Sequence, residues 1–230
     1  TTPMASPEQL KMRLRASETP GALDLSMEKF ELILPQAYKK EEPHGLFIWI
    51  SPNDHCALPA DWEKVLSDEK LIFIGALKSG NTRETMDRMQ LAITANDQMR
   101  QLYSIDPARV YISGHSGGSR VASMLAVAYA DMFSGAVCFM GVNFFFPTQA
   151  KDGTMYEARY IPHPEIATLA QNESRIVLVT GSKDFNLDNT TAIYEQGFKA
   201  NDFKHVTLFD IPGQGHGAPD KGWFKKALNY

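Results

Sequence analysis

The sequence predicts an α/β fold in which a mostly parallel central sheet carries helices on both faces. Apolar runs without polar alternation are typical of strands covered on both sides. The chain has such runs at residues 46–50, 71–75, 110–112, 136–139 and 176–181. A first strand is predicted at 30–34 and a more polar last strand at 205–209. Helical segments lie between the strands, and this alternation is typical of a parallel sheet.

The helices are predicted from caps and from apolar periodicity. Asn81 followed by Glu84 matches a capping box, which predicts a helix start there. Residues 121–128 are apolar nearly all round, as expected of a helix packed on a sheet. Asp220 is a candidate N-cap for a short final helix.

The length of 230 residues fits one catalytic domain with a substantial core. Residues 1–27 are polar and mixed, and we interpret them as an N-terminal arm before a single domain at 28–230. The longest interruption between strands, residues 142–174, is rich in aromatic side chains and is a candidate pocket wall.

Charge and composition exclude several kinds of partner. A net charge of −4 gives no electrostatic reason to expect nucleic acid, and no apolar run approaches the length of a membrane span. The two cysteines, Cys56 and Cys138, are too few for a disulfide framework and lack metal-binding spacing. We therefore expect neither a metal nor another cofactor. The chain begins at Thr1 rather than methionine, which fits either an exported protein whose signal was removed or a shortened cytoplasmic one.

The clearest chemical motif is Gly-His-Ser-Gly-Gly at residues 114–118, directly after a predicted strand. A strand, a sharp glycine-rich turn and a helix form the nucleophile elbow, which presents a serine at the bend. The same five residues also fit an ordinary glycine-rich turn, so the rest of the chain decides between the two readings.

Two further residues complete the pattern. Like Ser116, Asp184 and His216 each follow a predicted strand, and functional residues of α/β sheets lie beyond the carboxyl ends of strands. The order serine, acid, histidine is that of the hydrolase elbow. Histidine can accept the serine proton, and a carboxylate can orient the imidazole. Asp188, interpreted as a helix cap, and Asp210, within the last strand, are fallback acids.

Other residues are assigned to substrate binding. The backbone N–H of Gly117 is the first candidate for binding an oxyanion, because it opens the following helix. The second donor should come from the loop after residues 46–50, where Pro52 has no N–H and Asn53 is therefore the candidate. The pocket candidates are Phe144, Phe145 and Trp223.

On these motifs the chain resembles the α/β-hydrolase superfamily, and within it bacterial esterases related to polyhydroxybutyrate depolymerases and to feruloyl or acetyl-xylan esterases. The resemblance rests on residues 105–118, 181–186 and 212–216 and extends over roughly 28–228. It implies ester hydrolysis through a serine triad. The chain departs from these relatives after residue 50, where they usually have His-Gly and this chain has Ser51 and Pro52.

The sequence thus predicts a serine hydrolase that cleaves carboxylic esters through Ser116, Asp184 and His216 and an acyl-enzyme intermediate. The substrate would be a small-molecule or polysaccharide-linked ester. Two alternatives stay open, namely an acyltransferase or serine peptidase with the same triad, and a non-catalytic module that binds ligands with a hydrolase fold.

Overall fold

A computed structural model describes residues 2–56 and 58–230, and its centre is a seven-stranded sheet. Its strands lie in the order β1 (Phe30–Ile33), β3 (Leu71–Ala76), β2 (His44–Ile50), β4 (Ile105–His115), β5 (Gly135–Phe139), β8 (Arg175–Gly181) and β9 (His205–Ile211). The edge strand β1 is antiparallel to β3, and the other neighbouring pairs are parallel. The predicted mostly parallel α/β sheet is confirmed.

Helices cover both faces of the sheet. They are α1 (Pro7–Leu14), α2 (Trp62–Asp68), α3 (Thr85–Leu102), α4 (Gly117–Ala128), α5 (Pro164–Glu173), α6 (Leu187–Ala192) and α7 (Lys221–Leu228). Asp220 caps α7 as predicted, because its Oδ1 accepts hydrogen bonds from the first-turn amides of Gly222 and Trp223.

The core has two parts, one on each side of the sheet. Successive residues of a strand point to opposite faces, so Ile48 belongs to one cluster and Trp49 to the other. The larger cluster joins the sheet to α1, α3 and α4. The smaller one joins it to α2 and α7, where Trp62 stacks on Phe224 with ring centroids 3.9 Å apart.

The first residues of the chain pack on the larger cluster. Leu10 is fully buried there, and Leu14 is 2 % exposed. Arg13 makes a two-pronged ion pair with Asp131, with distances of 2.6 and 2.8 Å, and also donates to the carbonyl of Ala128. The predicted N-terminal arm therefore includes a helix that covers part of the core.

The predicted capping box at Asn81 is wrong, because α3 begins only at Thr85 and Glu84 makes no side-chain cap. Asn81 instead donates its backbone N–H to the carbonyl of Pro52 at 2.9 Å. Lys78 donates in the same way to Asp54 at 2.8 Å. This pairing with the loop after β2 holds residues 78–81 in a loop.

The aromatic segment at 142–174 contains a small antiparallel pair, β6 (Thr148–Gln149) and β7 (Met155–Tyr156), followed by α5. Cys56 and Cys138 are both free thiols in buried positions. In the described part of the chain, no helix combines the length and the apolar character that crossing a membrane requires.

Candidate active site

Ser116 lies at the sharp turn between β4 and α4, with the backbone angles φ 54° and ψ −121°. Non-glycine residues rarely adopt a positive φ, and such strain persists where the surrounding structure imposes it. Here the Ser116 N–H is held by the carbonyl of Phe139 at 2.8 Å. The turn thus leaves the Ser116 side chain at the carboxyl edge of the sheet.

The turn requires glycines because β4 and α4 cross against the end of β2. A Cβ at Gly118 would collide with the carbonyl oxygen of Ile50. One at Gly114 would lie 2.5 Å from the carbonyl carbon of Gly118 and 2.7 Å from the same Ile50 oxygen. Both obstacles are backbone atoms, which cannot rotate away as a side chain can.

The structure brings Ser116, His216 and Asp184 into one hydrogen-bonded row. His216 Nε2 lies 2.8 Å from Ser116 Oγ, and His216 Nδ1 lies 2.7 Å from Asp184 Oδ1. A carboxylate only accepts hydrogen bonds, so Nδ1 carries the proton and Nε2 of the neutral imidazole can accept the serine proton. This is the geometry that a serine nucleophile with its base requires.

The Asp184 carboxylate is fully buried, and each of its oxygens is hydrogen-bonded. Oδ1 also accepts the backbone N–H of Asn186 at 3.0 Å, and Oδ2 accepts the hydroxyl of Thr180 at 3.1 Å. These bonds fix the orientation of the carboxylate towards His216. By contrast, Asp188 and Asp210, the fallback acids, are exposed.

The loops that carry Asp184 and His216 are bound to each other. Ser182 N–H donates to Ile211 O at 3.0 Å, and Lys183 N–H donates to Gln214 O at 2.9 Å. The hydroxyl of Ser182 also accepts the N–H of Gly213 at 2.7 Å. Because β8 and β9 are parallel neighbours, these bonds continue their pairing beyond the sheet.

His115 supports the histidine loop from the other side. Its Nε2 lies 2.8 Å from the carbonyl oxygen of His216, which can only accept, so His115 donates from that nitrogen. Burial, helped by the nearby His216, lowers the pKa of His115. The lowered pKa favours the neutral imidazole, with its proton on the Nε2 that donates this hydrogen bond.

The two expected oxyanion donors differ in their surroundings. Gly117 opens α4 next to Ser116, as expected. The N–H of Asn53, however, donates to Ser51 Oγ at 3.1 Å, and that hydroxyl in turn donates to the carbonyl of His55 at 2.7 Å. The loop is closed on itself, so the Asn53 N–H is already engaged.

The pocket candidates also lie elsewhere than expected. Phe144 is 1 % exposed and Phe145 is 9 % exposed, and both pack in the core with other aromatic rings, among them Phe198 and Phe203. Trp223 packs against Phe209 of the edge strand β9, with ring centroids 6.1 Å apart. Aromatic residues in the long segment fill the interior because their apolar area is large.

Two residues that sequence reasoning missed surround the row. Phe185 is 76 % exposed and its ring lies 3.9 Å, centroid to centroid, from that of His216. Arg120, on the first turn after Ser116, donates to Val142 O, Asn143 Oδ1 and Asn186 Oδ1 at 3.0–3.1 Å. Phe185 directly follows Asp184 in the sequence, and an aromatic residue next to the predicted acid could have been noted as a candidate site residue. Arg120 carried no signal in the pattern.

A cavity of about 220 Å³ adjoins this site. It lies between the loop after β2, the end of β4 and the loop that follows His216, and its lining includes Trp49, Asn53, His115 and Ala218. In the described residues, no three His, Cys, Asp or Glu side chains group as they would around a metal ion.

The arrangement of strands and helices is that of the α/β-hydrolase fold, and similar solved structures agree on this fold. Est1E from Butyrivibrio proteoclasticus has a TM-score of 0.60 at 15 % identity, covering 87 % of this chain and 91 % of that one. Esterase 2 of Thermogutta terrifontis, phosphonylated by cyclosarin, has a TM-score of 0.61 at 14 % identity, covering 91 % and 88 %. The S-formylglutathione hydrolase FrmB of Staphylococcus aureus has a TM-score of 0.59 at 14 % identity, covering 88 % and 91 %.

Similarity in sequence covers a smaller part of the chain than similarity in structure. Poly(3-hydroxyalkanoate) depolymerase C of Paucimonas lemoignei is 26 % identical over 113 residues, which is 49 % of this chain and 21 % of the depolymerase. The match thus spans about a fifth of that protein's length. No protein-family profile matches the chain.

Proposed function

We propose that the protein is a serine esterase that hydrolyses carboxylic esters. The observation that carries the proposal is the row Ser116–His216–Asp184, with its 2.8 and 2.7 Å contacts. Support also comes from the neighbours in fold, which include esterases. A binding module would need neither a base on the serine nor a buried carboxylate behind that base.

In the proposed reaction, Ser116 Oγ attacks the ester carbonyl carbon while its proton passes to His216 Nε2. The carbonyl electron pair moves to the oxygen, and the N–H of Gly117 stabilises the resulting anion. The tetrahedral intermediate then collapses, and His216 protonates the departing alcohol. Water, deprotonated by His216, hydrolyses the acyl-enzyme and frees Ser116.

The substrate meets the protein on the exposed side of this row. Phe185 offers an apolar ring beside His216, and the cavity next to His115 can take one end of the ester. The structure of Est1E with bound ferulic acid makes feruloyl esters a reasonable part of a substrate screen. Short acyl esters and acetylated sugars complete that screen.

The test combines a fluorophosphonate label with Ser116→Ala. Wild type should be labelled and should hydrolyse at least one ester class, whereas Ser116→Ala should resist the label and lose activity by on the order of 10⁶. Circular dichroism should show an unchanged fold. A variant that keeps more than about a tenth of the activity would place the nucleophile elsewhere.

The same experiments distinguish the alternative functions. Wild type that is not labelled would favour the non-catalytic module. Faster turnover with an added alcohol than with water would favour the acyltransferase.

A further inference from the structure

The proposed reaction leaves the oxyanion with one identified donor, the N–H of Gly117. Such sites generally use at least two donors, because each one stabilises the charge that develops in the transition state. In this chain the loop after β2 offers no second backbone N–H at the expected place. Pro52 has none, and the N–H of Asn53 is engaged by Ser51.

The side chain of Asn81 lies against Gly117 instead. A Cβ on Gly117 would lie 2.7 Å from Asn81 Cγ and 3.0 Å from Asn81 Nδ2, with Oδ1 nearer still. The Asn81 carboxamide thus occupies the space that a side chain at position 117 would take. Gly117 therefore presents its backbone N–H and also contacts the side-chain amide of Asn81.

Asn81 is well placed for a ligand because its side chain is available. Asn81 is exposed, and the hydrogen bond that the structure gives it is made by its backbone N–H. Its backbone is nevertheless fixed, since the N–H donates to Pro52 O at 2.9 Å. Pro52 lies in the loop after β2, and this loop is also held by the buried Arg88, whose Nη2 donates to Ser51 O at 3.0 Å.

We propose that the side-chain amide of Asn81 is the second oxyanion donor, an inference that rests on the esterase function proposed above. When Ser116 Oγ bonds to the carbonyl carbon, the π pair of the carbonyl moves to its oxygen. The Nδ2–H of Asn81 and the N–H of Gly117 then donate to that oxygen. Neither donor gives up its proton, and the serine proton resides on His216.

This assignment also explains the glycine at position 117. Any side chain there would push the Asn81 carboxamide away from the oxyanion site. Asn81→Ala removes the side-chain amide, and Gly117→Ala adds a methyl group that displaces it. Both variants should therefore lose the same hydrogen bond from Asn81 to the oxyanion. Their effects should be strongly non-additive.

The first experiment measures kcat and KM for Asn81→Ala and Asn81→Asp with the best ester from the screen. Asn81→Asp has nearly the same shape but only accepts hydrogen bonds. Both variants should lose about 10²-fold or more in kcat with little change in KM, as expected of an interaction made in the transition state. Thr82→Ala, in the same exposed loop, is the matched control and should retain wild-type kinetics.

The second experiment uses Gly117→Ala and a trifluoromethyl ketone, whose adduct with serine carries an oxyanion. Gly117→Ala keeps the backbone N–H, so its loss in kcat should come from displacing Asn81. Added to Asn81→Ala it should cost less than about threefold more. The inhibition constant for the ketone should rise in parallel with the loss in kcat, which a merely structural role for Asn81 would not produce.

The outcomes separate this inference from the esterase proposal. Inactive, unlabelled wild type contradicts the esterase function and this assignment with it. Active wild type with Asn81→Ala within threefold of Thr82→Ala in kcat contradicts the assignment alone. So does a change confined to KM, which would mean that Asn81 contacts the ground-state substrate equally well. Additive losses in the double variant would show that Gly117→Ala acts by a route other than displacing Asn81, and would contradict the proposed contact between the two residues.

Discussion

Two aspartates follow β8, and their surroundings differ in ways that affect function. The Asp184 carboxylate is fully buried and accepts hydrogen bonds from His216, Asn186 and Thr180. Asp188 is exposed and lies in the first turn of α6. The sequence interpretation of Asp188 as the cap is wrong, because Asn186 occupies the N-cap position of that helix. Asp188 instead adds negative charge near the positive end of a helix dipole.

Asp184→Asn should therefore lower turnover by roughly 10⁴ while the protein stays folded, because an amide can hold His216 in the wrong tautomer. Asp188→Asn, the matched control four residues further along the chain, should keep its kinetics and lose at most about 1 kcal/mol of stability. Steady-state kinetics and urea unfolding of both variants check this. The reverse pattern would move the acid to Asp188.

The meeting of Ser116, Asp184 and His216 could be predicted because each follows a parallel strand, and parallel strands end at one edge of the sheet. No such rule applies to Asn81 or Phe185. Asn81 matched a local helix signal, and only the contact between two loops shows that the match is incidental. Phe144 and Phe145 looked like pocket residues because composition does not distinguish an aromatic core from an aromatic wall.

Among the elements, the crossing of β4 and α4 against β2 sets the position of the nucleophile. Strand positions were predictable from the sequence, because a strand that is buried on both faces is a nearly continuous apolar run. The close approach at Gly118 is different, because it depends on where the end of β2 lies in space. The motif predicted a glycine turn but not its partner, the carbonyl of Ile50.

Gly118→Ala should lower the free energy of unfolding by about 1–3 kcal/mol or more, because a methyl group there meets backbone atoms that cannot move independently. Gly21→Ala is the control, since nothing lies within 4 Å of a Cβ at that position. Its stability should stay the same or rise by up to about 1 kcal/mol. Denaturant unfolding of both variants measures the difference, and equal stabilities would argue against the close crossing.

For the molecule as a whole, the sheet and its covering helices followed from the sequence, but the covering by the first residues did not. Residues 1–27 look polar because their few apolar side chains are widely spaced. In the structure Ala5, Leu10 and Leu14 are buried in the larger core cluster, whereas Met12 and Met27 are exposed. The ion pair between Arg13 and Asp131 lies at the edge of the same contact.

Leu10→Ala should therefore destabilise the entire domain by about 2–5 kcal/mol, since it removes a fully buried side chain from the main core and leaves a cavity. Leu102→Ala is the matched control, because Leu102 is 66 % exposed and its loss should change stability by less than about 0.5 kcal/mol. Well below the unfolding transition, ester hydrolysis per folded molecule should be the same in both variants, because neither residue touches the site. Equal unfolding midpoints would instead mean that the first residues lie on the surface without contributing to the core.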